Sequence, residues 1–219
     1  MIFTNSIFED FDQYPLDATV PPIRRLSTTP NWVMGGGDVD CFIVQNNAVL
    51  SGFNTLSIYS PLTPAWSEID RISSQASADW MLKVYHQVTA DAYTQVQGKG
   101  YWIGVGAQTS AAYPASLAIY KDEVAVLDNG GTTLLGFNPG VTTHEYKITG
   151  DAAGVITVDI DGSNEFTGTS ILAPGALIDV VYIGHDSDNA KKLVGYTKYI
   201  ELYAGAASGW NIARTFIGG

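Results

Sequence analysis

The chain has 219 residues, of which 46% are hydrophobic and only 15% charged, so a sizeable core is available and intrinsic disorder is excluded. The formal net charge of −11 argues against nucleic acid as a partner, because binding a phosphate backbone requires a clustered excess of Lys and Arg. No apolar run reaches the length of a membrane span, and the first ten residues lack the basic and apolar regions of a secretory signal.

Short segments of alternating apolar and polar residues begin near the start of the chain. Residues 8–12 predict a first strand, and residues 15–31, which contain four prolines, predict an extended surface segment. Residues 42–44 and 48–50 predict a hairpin around Gln45-Asn46-Asn47, and residues 53–59 predict a further strand. None of these segments has the apolar period of a helix.

The middle of the chain continues the pattern. In residues 80–88 every second residue lies on one face of a predicted strand: Trp80, Leu82, Val84, His86 and Val88. This alternation favours a long strand over a helix. Residues 101–107 predict a strand in which Gly104 and Gly106 leave one side bare, as happens where another chain segment approaches closely. Residues 116–120 and 123–127 predict a hairpin.

Residues 143–203 show the pattern most clearly, as strand-like runs that end in Gly, Asp or Asn. We place strands at 144–149, 154–161, 178–184 and 196–203, with a loop after the Asp161-Gly162 turn. The whole chain therefore predicts an all-β fold, a single antiparallel β-sandwich of about a dozen strands with little or no helix. We expect one domain over 1–219, with apolar extensions at about 1–7 and 204–219.

Three groups of segments carry a resemblance to a known superfamily: residues 8–15 followed by 31–32 and 47–50, the pair 144–148 and 158–162, and the closing runs 182–184 and 199–203. With these segments in order, the chain resembles the concanavalin A-like lectin/glucanase jelly roll, particularly its laminin G-like and pentraxin-like branches. The resemblance implies a jelly-roll sandwich. Most such domains bind ligands and some cleave them, so the fold alone does not assign an activity.

Two carboxylates on a short segment are the strongest candidates for chemistry. Glu68-Ile-Asp70 resembles the Glu-Ile-Asp segment of family 16 glucanases, in which alternating carboxylates project into a cleft, one attacking the sugar and another protonating the leaving oxygen. The positions that would supply the second glutamate are Ile72 and Ser73, so we assign no catalytic residue. The competing interpretation is an exposed acidic pair on a loop or strand edge.

Asp186, Asp188 and Asn189 bring three side-chain oxygens together in a predicted loop. Calcium requires six to eight oxygen ligands, and loop-bound calcium in laminin G-like and pentraxin-like domains makes these residues candidate ligands. Acidic residues are also common in exposed turns, so calcium stays one of two interpretations. The three histidines lack metal-ligand spacing, and Cys41, the sole cysteine, predicts a buried, unreactive thiol.

Aromatic residues in predicted loops are candidates for binding sugar faces, with packing in the sandwich as the alternative. We single out Trp66, Tyr93 and Tyr113, together with Glu68 and Asp70, as candidate ligand-binding residues. The apolar ends of the chain predict a contact with the sandwich itself or with a neighbouring subunit. The candidate interface residues are Ile2, Phe3, Trp210, Ile212, Phe216 and Ile217.

Two functions from different classes remain open. The one we favour is a non-enzymatic structural or adhesive domain, made in the cytoplasm without a cleaved signal and carried on a virion surface or outside the cell. Its partners are then assembly neighbours or copies of itself, with a glycan as a further ligand. The alternative is a carbohydrate-active enzyme, a glycosidase or polysaccharide lyase, that uses Glu68 and Asp70.

Overall fold

The computed structural model describes residues 6–19, 23–29, 32–47, 52–61, 67–106, 115–129, 131–169, 177–186 and 190–204. Strands account for most of this part of the chain, and its helical structure is limited to four three-residue 3-10 turns. The sixteen strands of the described residues are β1 (Ser6–Asp10), β2 (Ile23–Arg25), β3 (Trp32–Gly36), β4 (Phe42–Asn47), β5 (Phe53–Tyr59), β6 (Ser67–Ser77), β7 (Trp80–Val88), β8 (Tyr101–Gly106), β9 (Ala115–Ile119), β10 (Val124–Asp128), β11 (Gly131–Leu134), β12 (Thr143–Gly150), β13 (Val155–Ile160), β14 (Ser163–Thr169), β15 (Ile178–His185) and β16 (Leu193–Ala204).

Two antiparallel sheets form the sandwich. The large sheet has nine strands in the order β14-β13-β12-β7-β16-β5-β4-β2, with β1 pairing the free part of β16 beside β5. The small sheet has seven strands in the order β11-β10-β9-β8-β15-β6-β3. The predicted all-β sandwich is therefore confirmed, and no helix in the described residues is long and apolar enough to cross a membrane.

Several predicted elements match the structure closely. The alternation of residues 80–88 produces β7, whose Trp80, Leu82, Val84 and Val88 point into the core. The predicted hairpin around Lys121-Asp122 is the β9–β10 pair, in which Ile119 lies opposite Val124. These segments were predictable because apolar side chains recur at every second position and point into the core.

The hairpin predicted around residues 45–47 was wrong in its boundaries. Strand β4 does not turn at residues 45–47 but continues to Asn47 and pairs with β5, with Asn47 opposite Phe53. The polar residues 45–47 fit a strand because the Gln45 amide donates to the Ser57 hydroxyl on β5 at 2.9 Å. Residues 48–50, the other half of that predicted hairpin, lie outside the described residues.

The loop predicted after Asp161-Gly162 is in fact strand β14. Both turn residues have positive φ, 51° at Asp161 and 84° at Gly162, and this geometry joins β13 and β14 as a tight hairpin. Strand β14 lies at the edge of the large sheet and is mostly exposed, so its sequence lacks the apolar alternation that marks a half-buried strand.

The inner faces of the two sheets form one core that contains a few polar residues. The His86 ring is fully buried and stacks on the Tyr101 ring, with 4.2 Å between centroids, and its Nδ1 lies 2.9 Å from the Thr197 hydroxyl. Arg71 Nε donates to Glu9 Oε1 at 2.6 Å, and the Tyr14 hydroxyl donates to the same carboxylate. Cys41 is buried, as expected, and burial raises the pKa of its thiol to about 11.

Candidate functional site

The outer face of the small sheet carries the candidate site. Alternate residues of its strands, such as Ile69, Ile103 and Ile183, point into the core, so their neighbours point away from the large sheet. The strand register aligns these neighbours into rows. In one row Glu68 of β6 lies opposite Gly184 of β15, and Gly184 lies opposite Trp102 of β8.

Two glycines on this face make room for two aromatic rings. A Cβ on Gly184 would collide with the six-membered ring of Trp102, and a Cβ on Gly104 would collide with the Tyr182 hydroxyl. Each ring therefore lies across the glycine of the neighbouring strand, and the two ring centroids are 6.2 Å apart. The close approach predicted from Gly104 in the sequence is thus made by Tyr182.

Two carboxylates lie next to these rings. Glu68 and Asp70 project from the same face of β6, and a Cβ on Gly35 of β3 would lie 2.7 Å from Glu68 Oε1 and 3.0 Å from Asp70 Oδ2. Glu68 is only 4% exposed, and Asp70 is half-buried. Burial raises the pKa of the Asp70 carboxyl above its ordinary value. The exposed loop or strand edge that we expected here is wrong, because β6 pairs with β15 on one side and β3 on the other.

A third carboxylate approaches the aromatic pair from the end of β15. The Asp186 carboxyl accepts hydrogen bonds from the Gly100 N–H and the Trp102 indole, and Lys99 lies nearby. Burial raises the pKa of Asp186 despite these favourable interactions. The Asp186 charge in turn adds to the effect of burial in raising the pKa of Tyr120, so that ring is also close.

A cleft of about 290 Å³ opens on the other side of the two rings, over β8, β9, β10 and β11. Small side chains form its floor, since Trp102 lies opposite Ala118 and Ala118 lies opposite Ala125. Its lining residues are Trp102, Ser116, Ala118, Tyr120, Ala125, Leu127, Thr132 and Tyr182. The outer face of the small sheet thus has an acidic half, an aromatic pair and an apolar half.

Tyr93, which we expected to be exposed, is only 4% exposed. The Lys192 Nζ lies 4.8 Å and the Lys99 Nζ 5.7 Å from its ring centroid, and the ring is tilted against His185 at 5.6 Å. The polar sequence around Tyr93 misled us because lysine side chains cover the ring. A ring covered in this way does not offer an open face to a ligand.

The structure tests few of the other predicted site residues. Of the candidate calcium ligands only Asp186 is described, and the described residues contain no group of three His, Cys, Asp or Glu side chains that could hold a metal ion. Calcium at Asp186, Asp188 and Asn189 therefore stays a prediction. Trp66, Tyr113 and the six candidate interface residues at the chain ends lie outside the described residues.

Trp102 and Tyr182 are the site residues that sequence reasoning missed. Both lie on predicted strands, and we expected Trp102 to pack in or against a sheet. In the structure Trp102 is half-buried and Tyr182 is only 1% exposed. The available signal was the set of glycines at 104, 106 and 184, which strips side chains from one face of two strands. Neighbouring strands with bare positions on the same face leave room for rings.

No protein-family model matches this sequence, and no curated protein sequence is significantly similar to it. Solved structures do resemble it. A sialidase matches with a TM-score of 0.63 and 12% identity over 91% of this chain, which spans only 18% of the sialidase. The β-glucanase of Bacillus licheniformis matches with a TM-score of 0.58 and 13% identity, over 92% of this chain and 99% of the glucanase.

A third similar structure is the exoplasmic/lumenal domain of VIP36 in its Ca²⁺/Man3GlcNAc-bound form. Its TM-score is 0.51 at 12% identity, over 82% of this chain and 86% of that domain. At such low identity the likeness concerns the fold alone. The chain therefore has the jelly-roll β-sandwich fold of concanavalin A-like proteins.

Proposed function

We propose that the outer face of the small sheet binds a glycan. The observation that carries the proposal is the half-buried Trp102 ring, which packs against the buried Tyr182 ring and lies between the carboxylates of β6 and the apolar cleft. Sugar rings have an apolar face and a rim of hydroxyls, so a site for them combines aromatic surface with a few polar groups. This face supplies both within one register row of β6, β15 and β8.

The size and composition of the cleft support the same ligand class. Its volume of about 290 Å³ is at the lower end of the range of small-molecule sites, which fits one or two sugar units with the rest of the chain lying along the sheet. Leu127, Ala118 and Ala125 provide apolar surface, and Ser116 and Thr132 provide hydroxyls at its edge. Similar structures include a β-glucanase and a domain solved with Man3GlcNAc, so the fold is compatible with this use.

Affinity electrophoresis in gels that contain single polysaccharides tests the proposal. The panel comprises β-1,3- and β-1,4-glucans, mannan, chitosan and alginate. We expect at least one polysaccharide to retard the protein. Retardation by none of them, at protein concentrations up to the millimolar range, would contradict a glycan-binding function.

Three variants test whether binding takes place on the outer face of the small sheet. Leu127 is 40% exposed, so Leu127→Arg places a long side chain over the cleft without disturbing the core, and we expect it to weaken binding at least tenfold. Trp102→Ala removes half of the aromatic pair and should weaken binding by a similar factor. Tyr199→Ala is the matched control, because Tyr199 stacks on Tyr85 on the outer face of the large sheet, and its affinity should equal that of the unmodified protein.

Hydrolysis of the glycan is a second candidate function, and the position of Asp186 favours it. Asp186 follows Gly184 by two residues, and Gly184 lies opposite Glu68, so the two acids come from the same end of this face. Inverting glycosidases use two carboxyl groups, one as the general acid and one as the general base. In that reaction Asp186 would protonate the leaving oxygen while Glu68 takes a proton from the water whose oxygen bonds to the anomeric carbon.

Incubation with the same polysaccharides, followed by assays for new reducing ends and for unsaturated products, tests this second function. We expect reducing ends without unsaturated products, and at least a hundredfold less activity in Glu68→Gln and Asp186→Asn. Unsaturated products would instead indicate a lyase. Polysaccharides that bind without any cleavage would leave glycan binding as the whole function.

A structural or adhesive role on a virion surface is a further proposal. What supports it is the apolar sequence at both ends of the chain, in residues 1–7 and 204–219. Size-exclusion chromatography with light scattering should show an oligomer if these segments join subunits. A monomer that also fails to co-sediment with virus particles would contradict the role.

A further inference from the structure

A cavity of about 330 Å³ lies apart from the small-sheet face, where β1, the residues that follow it and β2 come together. Its volume falls within the range of small-molecule sites. Phe8 on its wall is 42% exposed and Pro15 is exposed too, so the cavity offers apolar surface to solvent. Arg24 of β2 completes the lining together with two acids and a further aromatic ring: Glu9, Asp10 and Tyr14.

Arg24 has no acidic partner among the described residues, although acids outnumber bases 22 to 11 in this chain. The other two arginines of this part of the chain, Arg25 and Arg71, each pair with an acid. Arg24 is half-buried, and its Nη1 donates to the Pro15 carbonyl at 3.2 Å. Its Nε is buried without a hydrogen-bond partner in the described ranges. A guanidinium has five N–H donors, so Arg24 keeps donors for a ligand.

The two acids that line the cavity are engaged within the protein. Glu9 accepts hydrogen bonds from Arg71 Nε at 2.6 Å and from the Tyr14 hydroxyl. The Asp10 carboxyl accepts a backbone N–H of the 3-10 turn that follows β1, at 3.1 Å. Because Arg71 offsets the charge of Glu9, a ligand in the cavity meets one cation, Arg24, and one acid that already holds a turn.

We propose that this cavity binds a small organic carboxylate, whose oxygens accept hydrogen bonds from Arg24 while its apolar ring lies against Phe8 and Pro15. A carboxylate suits a guanidinium because its two oxygens match two parallel N–H groups. Hydrogen bonds between charged groups are also about twice as strong as neutral ones. The site is separate from the proposed glycan site, since the cavity shares no lining residue with the cleft on the small sheet.

Benzoate, benzamide and benzylamine, which share a ring and differ in charge, test the proposal. Each is added to the full chain at pH 7 and constant ionic strength, up to tens of millimolar, and ¹H–¹⁵N NMR spectra give the dissociation constants. We expect benzoate to shift the signals of residues 8–14 and 24. It should bind about tenfold more tightly than benzamide, the scale of one charge-assisted hydrogen bond, and more tightly than benzylamine.

Variants of β2 link the binding to Arg24. Arg24→Gln should weaken benzoate binding about tenfold, and Arg24→Lys, which keeps the charge but loses the planar fork, should weaken it by a smaller factor. Arg25→Gln is the matched control, because it removes the same charge from the next position of β2, where Arg25 pairs with Asp40 near the surface. Its affinity for benzoate should equal that of the unmodified protein.

Three outcomes would overturn the proposal: benzylamine binding as tightly as benzoate, benzoate binding that survives Arg24→Gln, and no shift at residues 8–14 with benzoate. Leu127→Arg, which places a long side chain over the cleft on the small sheet, should leave benzoate binding unchanged. Failure at the Arg24 cavity would therefore leave the glycan site standing, and failure of the glycan site would leave the carboxylate site standing.

Discussion

The carboxylates on the outer faces of the two sheets have different surroundings. On the large sheet the acids lie beside lysines of neighbouring strands, with Lys83 Nζ 3.2 Å from Glu145 Oε1 and Lys147 paired with Asp159. On the small sheet Glu68 and Asp70 lie over a glycine, and aromatic rings take the next positions.

Cross-strand ion pairs of the first kind satisfy the charges within the protein and leave little for a ligand to contribute. On the small sheet, burial disfavours the charged form of Asp70, and no lysine or arginine of the described residues forms an ion pair with it. This difference locates the candidate site on the small sheet.

The largest effect concerns the layer beneath both faces, where the buried His86 must stay uncharged. Burial lowers its pKa to about 3, so between about pH 6.5 and 3 the unfolded chain binds a proton at His86 that the folded protein does not. Stability should therefore fall as pH falls through this window, by up to about 1.4 kcal/mol per pH unit. Urea titrations at half-unit pH steps measure the slope.

Two variants test whether His86 causes the dependence of stability on pH. His86→Phe should remove most of it, because no titrating group then remains at the stack on Tyr101. His144→Gln is the control, since His144 is paired with Asp161 near the surface, and it should keep the slope. An unchanged slope in His86→Phe would show that acid unfolding has another cause.

Filling the space above a glycine of the small sheet should have the next largest effect. In Gly104→Ala the new Cβ collides with the Ala115 carbonyl oxygen and the Tyr182 hydroxyl, so the backbone or the ring must move. We expect a loss of about 1–3 kcal/mol in unfolding free energy, the usual cost of overpacking, together with weaker glycan binding. Thr157→Val on the large sheet replaces a hydroxyl by a methyl and removes the hydrogen bond to the Thr149 hydroxyl, and it should cost less and leave binding intact.

Removing the charge of Asp70 should stabilise the protein. The raised pKa of Asp70 means that the folded state disfavours the ionised carboxyl, so at neutral pH its charge lowers stability. We expect Asp70→Asn to raise the unfolding free energy by about 0.5–2 kcal/mol at pH 7. The gain should shrink as pH falls through the raised pKa, because the native carboxyl is then protonated too. Thermal unfolding at about pH 7 and pH 3.5 compares the two conditions, and a destabilised variant at pH 7 would contradict the prediction.

The smallest effect should come from an ion pair on the large sheet. Glu145 contacts Lys83 and also accepts a hydrogen bond from the Tyr199 hydroxyl at 2.9 Å, yet all three groups are partly exposed. Glu145→Gln should therefore cost no more than about 1 kcal/mol, with glycan binding unchanged. A loss of binding in this variant would mean that the large sheet, and not the small one, carries the site.

The sequence predicted the sandwich better than the site, for a physical reason. Strands such as β7 and β10 are rich in apolar residues that point into the core at every second position, so their sequences indicate strands. Strand β6 was taken for a loop or edge because its outward positions are acidic, although it lies between two neighbours.

The site itself depends on contacts between strands that are far apart in sequence. Trp102 crosses Gly184, Tyr182 crosses Gly104, and Asp186 reaches Trp102 from the end of β15. Nothing in the local sequence of any one strand specifies these pairs. Register across the sheet decides them, and register follows from the whole fold.

The position of β16 has a consequence for how the protein folds during synthesis. It is the last described strand in sequence but lies inside the large sheet, where it pairs with β7, β5 and β1. During synthesis the edges of those three strands that pair with β16 stay unpaired until residues 193–204 leave the ribosome. We therefore expect folding to be slow, and a chain that stops before Leu193 to aggregate.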